Sequence, residues 1–201
     1  KTTNFRKIII NQEENIKNAW VNPSDQSPLG IQGTYDVLLQ LKDNLSESQI
    51  SDSLLRVENI LSKNRSICTD FATVKVLKED KISISGDITI NSFVLGESIL
   101  AEIFVKIDSR LNKELVFYDF DDLIQGNSYE DIFCGPAQKN RFIKETDLVR
   151  KTNEIYFYEI KEIIQSVEGV VGVENLVVYK NGVKMFNEII SFQNDFYPSL
   201  D

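Results

Sequence analysis

Histidine is absent from this chain, and that absence removes more chemistry than any motif in it supplies. Without an imidazole there is no Ser-His or Cys-His nucleophile pair, no histidine-dependent zinc site and no histidine acid/base step. Cysteine is scarce: Cys68 and Cys134 stand far apart and match no metal-ligand spacing. They read as buried thiols of a reducing compartment rather than as a bridge. No apolar run approaches the roughly 20 residues of a membrane span. Positive charge is in short supply, with 22 Lys and Arg against 31 Asp and Glu, a net charge of -9. No basic cluster offsets that balance, so nucleic acid and anionic membrane are poor partners. Neither Gly-x-Gly-x-x-Gly nor a P-loop occurs. Numbering that starts at Lys1 rather than Met leaves room for a removed leader or a larger parent chain.

What is present is clear periodicity. At 201 residues the chain can build a core without a disulfide or metal staple. Lys81 to Leu111 organises the rest. Ile82, Ile84, Ile88 and Ile90 alternate with polar residues, the period of a half-buried strand. Beyond Gly96, Ile99, Leu100, Ile103, Phe104, Ile107 and Leu111 fall on one face of a helix.

Before that stretch, residues 1–30 read as a docked arm and a loop, with Ile8 to Ile10 adding as an edge strand and Trp20 anchoring the arm. Gly33 to Leu41 is a strand buried on both faces near Leu38. Ser46 to Lys63 is a helix with Ser46 and Gln49 spaced as a capping box. Phe71 to Leu77 is a strand, and Lys78-Glu79-Asp80-Lys81 a polar turn that pairs it with the next strand as a hairpin. The order predicts an α+β fold: a ferredoxin-like βαββα sandwich over 31–112. A smaller irregular α/β module over 113–186 follows, ending in a helix, a strand and a hairpin. That module holds a short helix capped by Asp119, a helix over Ile155 to Val167 closed at Gly169, a strand over Val173 to Tyr179 and a turn at Asn181-Gly182. The tail, 187–201, is apolar enough to pack back on the body.

Each candidate site has a plain structural reading beside it. Asp119, Asp121 and Asp122 offer carboxylates for a divalent cation such as Mg²⁺, which defines an enzyme alternative; the acidic first turn of a capped helix explains the same residues. Gly169-Val170-Val171-Gly172 has the glycine spacing of an RNA-clamping loop but lacks basic flanks, so it reads as a helix cap and tight turn. Phe117, Tyr118, Phe120, Tyr129 and Phe133 are dense enough for a partner surface, with core packing under a loop as the default. A peptide-binding adaptor using a sheet edge is a third class.

Several segments taken in order resemble the baseplate J-like family of contractile phage tails and related injection systems. They are Gly33 to Leu38, Asn64 to Phe71, Ile82 to Leu111, Val116 through Gly126, Ile132 to Pro136, Phe142-Ile143 and Val167 to Val173. Thr69, where the family pattern has an acidic residue, and Arg141, near which it has a glycine, depart from it. The resemblance implies a structural, non-enzymatic wedge protein without cofactors. It further implies other wedge subunits, tube or sheath as partners, and assembly in the bacterial cytoplasm before incorporation into the baseplate.

Overall fold

A computed structural model describes residues 2–24, 33–91, 95–125, 128–129, 132 and 142–201. The fold is α+β, as the periodicities predict. The chain forms two compact units, each built from two separated pieces: Lys1–Leu77 with Leu115–Arg150, and Lys78–Glu114 with Lys151–Asp201. The expected boundary at 112/113 lies beside one crossing. The expected βαββα sandwich over 31–112 does not form, because the strands before and after Leu77 join different sheets.

In the first unit, α1 (Thr2–Gln12) carries Phe5, Ile8 and Ile9 at helical spacing onto the core. This corrects the edge strand expected at Ile8 to Ile10: a run of three isoleucines suits either element, and burial at positions 5, 8 and 9 settles it. β1 (Ile16–Pro23) pairs antiparallel with β2 (Thr34–Leu41), which runs parallel to β3 (Asp70–Val76), in the order β1-β2-β3. A parallel pair needs a crossover, and α2 (Glu47–Lys63) supplies it. Its capping box is complete: Ser46 Oγ accepts from Gln49 N–H, and the Gln49 side chain accepts from Ser46 N–H. Val37 through Leu41 are all buried, as the continuous apolar run at Leu38 predicts. Gly33 sits at φ 105, and a Cβ there would collide with the Cys68 carbonyl oxygen, so only glycine fits.

Two polar clusters tie this unit together. Arg6 is 6% exposed; its Nη1 donates to the carbonyls of Leu148 and Val149, both at 2.9 Å, and its Nη2 to Asn18 Oδ1 at 3.1 Å. The guanidinium lies 5.6 Å from the Trp20 ring, whose Nε1 also donates to Val149 O. Burial without a carboxylate lowers the Arg6 pKa to about 10. Between α1 and α2, Glu13 is 2% exposed and accepts from Arg56 Nε at 2.6 Å, Arg56 Nη2 at 3.0 Å and Ser53 Oγ at 3.2 Å. Burial pushes the Glu13 carboxyl up, but the Arg56 hydrogen bond, with lesser help from Asn15 N–H and Ser53, outweighs it and holds the carboxyl below its ordinary value.

The second unit opens with β4 (Lys78–Ile90) and α3 (Gly96–Leu111). Then come β5 (Glu154–Tyr156), α5 (Phe157–Gln165), β6 (Val170–Lys180), β7 (Val183–Lys184), β8 (Ile189–Ser191) and β9 (Phe196–Leu200). Its main sheet is ordered β7-β6-β4-β9, with β5 and β8 as a separate pair. The expected β3–β4 hairpin is absent. Leu77 N–H bonds Leu39 O and Lys78 N–H bonds Asp195 O, so the two strands serve different sheets. Leu77 alone separates them, and no residue there takes the left-handed backbone of a tight turn. Ile155 belongs to β5 rather than to the following helix, while Gly169 at φ 94 closes the helix-to-strand turn as expected. Ile99, Ile103 and Ile107 of α3 pack with Ile160, Ile164 and Ile82. The tail packs back, pairing through β8 and β9.

Two outcomes follow from the polar clusters. A depressed carboxyl contributes stability that is present above about pH 4.3 and lost as pH falls through its lower folded value. Glu13→Gln should therefore be less stable than the parent near neutral pH, with the gap closing on acidification; a pH-independent gap in urea titrations refutes this. Arg6→Ala removes the side-chain donor of Leu148 O, while Val149 O keeps Trp20 Nε1 and Asn18 Oδ1 keeps Ala19 N–H, and should cost about 1–3 kcal/mol. Amides near Leu148 and Val149 should lose hydrogen-exchange protection first, and uniform loss across the unit would contradict the assignment.

Candidate contact surface

The aromatic segment lies in the returning piece of the first unit. Tyr118 and Phe142 exchange backbone hydrogen bonds at 2.9 Å each way, an isolated bridge that fixes the segment's start. From there α4 (Phe120–Ile124) is capped at Asp119, and Asp122 Oδ2 accepts from Asp119 N–H at 3.4 Å. Leu123 points into the core. The Phe120 ring stands 6.3 Å from Phe142 and 6.2 Å from Tyr129, tilted against each.

These contacts divide the five residues singled out in the sequence. Phe120 and Tyr118 are half-buried and tied in. Phe117 is 40% exposed and Tyr129 62% exposed, with Val116 and Ile124 exposed beside them in sequence. Phe133 lies outside the described residues, as does Cys134. Three supporting residues join them, of which only Phe142 is marked in the sequence, through the family resemblance. Phe142 is the inner ring, Lys144 holds its Nζ 4.1 Å from the Tyr118 ring centre, and Asp147 accepts from the Tyr118 hydroxyl. That hydrogen bond, with burial and the Asp147 charge behind it, raises the Tyr118 phenol above its ordinary value. The arrangement is an aromatic layer with two exposed members, able to bind by burial.

The other readings fit less well. Asp119 and Asp122 are engaged in capping α4, and among the described residues no group of three or more Asp, Glu, Cys or His is placed to hold a metal. Of Gly169 to Gly172, only Gly169 belongs to the turn; Val170 to Gly172 already form the start of β6, which pairs with β4. Cys68 is exposed at φ 62, which corrects the buried thiol expected there. No described helix is long and apolar enough to cross a membrane.

An adaptor needs a regular, open sheet edge, and the described edges are interrupted. Where register slips between β1 and β2 or β2 and β3, the extra residue falls on β1 or β3, the edge strands of that sheet, and between β4 and β6 it falls on β6. In β9, the bonds of Lys78 N–H to Asp195 O and Asp201 N–H to Ile82 O set an alternation that turns Pro198 outward. A missing N–H there costs no ladder bond and denies an incoming strand its donor.

Comparison with known proteins adds a fold likeness. A chain in the cryo-EM structure of the anti-feeding prophage baseplate, six-fold symmetrised, matches 98% of this chain with a TM-score of 0.55 and 14% sequence identity. This chain spans 36% of that one. No family model and no curated protein matches. At such identity the likeness is one of fold.

The Tyr118 hydroxyl bond is open to direct test. Asp147→Asn should bring the Tyr118 phenol down toward its ordinary value in an ultraviolet pH titration, with Tyr118→Phe assigning the signal. An unchanged titration would separate the two side chains.

Proposed function

We propose that this chain is a structural subunit of a contractile-tail or injection-system baseplate, acting in the wedge by holding neighbouring subunits in register. The observation that carries the reading is the fold likeness over 98% of the chain to a baseplate component. Surface composition supports it. Besides Phe117 and Tyr129, α3 leaves Leu100, Phe104 and Val105 exposed beside its core stripe of Ile99, Ile103 and Ile107. A helix apolar over more than one face is a helix with a further partner to meet. The proposed partners are other wedge subunits, and tube or sheath proteins. Assembly takes place in the bacterial cytoplasm, and the work is done by apolar anchors rather than by a catalytic group or cofactor.

In this reading Phe117 and Tyr129 are anchors, while Tyr118 and Phe120 position them. The tagged chain, recovered from cells shown to be assembling particles, should bring down sheath, tube or wedge proteins; recovery of the chain alone refutes the proposal. Phe117→Ala with Tyr129→Ala should lower that recovery about tenfold, equivalent to 1.4 kcal/mol. The thermal midpoint should move by no more than about 2 °C, as for ordinary surface changes. A large fall in the midpoint would instead make both residues part of the core.

A further inference from the structure

We propose that the β6–β7 hairpin is a pre-formed plug for an apolar pocket rimmed by carboxylates on another protein. Its turn, Asn181-Gly182, holds both residues in the left-handed region at φ 50 and φ 76, the backbone of a tight two-residue hairpin. Asn181 is bound three times to β4. Its N–H donates to Lys81 O at 2.8 Å, its Oδ1 accepts from Lys81 N–H at 2.9 Å, and its Nδ2 donates to Asp80 Oδ1 at 2.8 Å. Asp80 is itself 3% exposed, with Lys180 Nζ 2.9 Å from its Oδ2. Below the turn, Met185 packs against the core cluster and its N–H bonds Val178 O at 2.9 Å. The base of the hairpin is thus fixed by a buried ion pair, an asparagine clamp and a core contact.

What this frame presents is apolar. Val183 is 66% exposed and Phe186 85% exposed, well beyond what an isolated two-residue strand needs for its own pairing. Lys184 Nζ lies 5.5 Å from the centre of the Phe186 ring and has no carboxylate partner among the described residues. No Asp or Glu occurs from Tyr179 to Asn187, in a chain of net charge -9. A pocket that takes the Phe186 ring must also take the ammonium over its face. A desolvated cation is tolerated only where an acceptor, best a carboxylate, meets it. Because the turn is already ordered, docking forgoes most of the loop-ordering cost that weakens flexible contacts.

The test places the photo-crosslinker p-benzoylphenylalanine at position 186 of the full chain in the cells used for the recovery experiment. A matched control carries it at position 55, an exposed site on α2. The expected result is one dominant protein adduct at position 186, mapped to an apolar peptide with Asp or Glu at its border. Lys184→Glu should cut the yield about tenfold, since like charges at a desolvated contact repel, while Lys184→Arg should keep it. An adduct with a second copy of this chain, an adduct with lipid, or a yield no higher than at position 55 overturns the proposal. An adduct with a protein foreign to tail particles would leave the plug standing and remove the baseplate reading, so the two fail separately.

Discussion

A buried guanidinium that finds no carboxylate among the described residues sets the terms for the first unit. Arg6 cannot shed its proton at ordinary pH, and its burial is made tolerable by Leu148 O, Val149 O and Asn18 Oδ1, which accept from its Nη1 and Nη2, while its buried Nε has no partner among the described residues. The dependence runs both ways: the two backbone carbonyls lie about 140 positions along the chain, and Leu148 O would lose its side-chain donor without it. Helix α1 and the piece 115–150 therefore stabilise each other, which is how one unit is made from two distant stretches. The second unit uses the same device with the charges reversed. Asp80, from its first piece, is met by Lys180 and Asn181 from its second. Nearby, Lys151 Nζ donates to the carbonyls of Gln193 and Phe196, and burial lowers its pKa against the pull of Asp80 and Asp195.

Local regularity is what the sequence discloses best, since period and capping are properties of neighbours. β2, α2, α3 and the Asn181-Gly182 turn lie where periodicity and turn chemistry put them; β4 does so from Ile82 on, but its strand already begins at Lys78, where the sequence predicts a polar turn. The α1 helix was hidden by three consecutive isoleucines, whose β-branched shape favours a strand until the core decides. The separation of β3 from β4 was hidden for a deeper reason. No residue near Leu77 states which sheet the next strand will join; that choice is made by β6 and β9, about a hundred positions on, through register with β4. Of the candidate surface, the residues were legible and their roles were not. Phe117 and Tyr118 are neighbours of like chemistry, yet one faces water and the other is held by Phe142, Lys144 and Asp147.

The sheets are shaped against unplanned pairing. Bulges fall on the edge strands β1 and β3, β7 and β8 are very short, and Pro198 turns its donor-free nitrogen outward. Each device removes a row of free backbone groups that would recruit another chain without regard to sequence. Among the exposed apolar side chains are Phe117, Tyr129, the outer part of α3, Val183 and Phe186. Side-chain contacts discriminate by shape and charge where backbone ladders do not, so closing the edges raises the selectivity of whatever the faces bind.

Net charge completes that logic. At -9 the molecule repels its own kind at a distance, but screening confines this to about 8 Å at physiological ionic strength. Inside that range the local groups decide. A hydrophobic anchor such as Phe186 gains on burial against any apolar surface, a second copy of this chain included. The cation over its ring makes the choice, because Lys184 must be desolvated with it and needs an acid in return. Lys184 is also too close to the anchor for repulsion from the rest of the molecule to govern the contact. The same side chain thus rejects neutral pockets and accepts acidic ones, and a chain with no catalytic histidine can still be exacting about its neighbours.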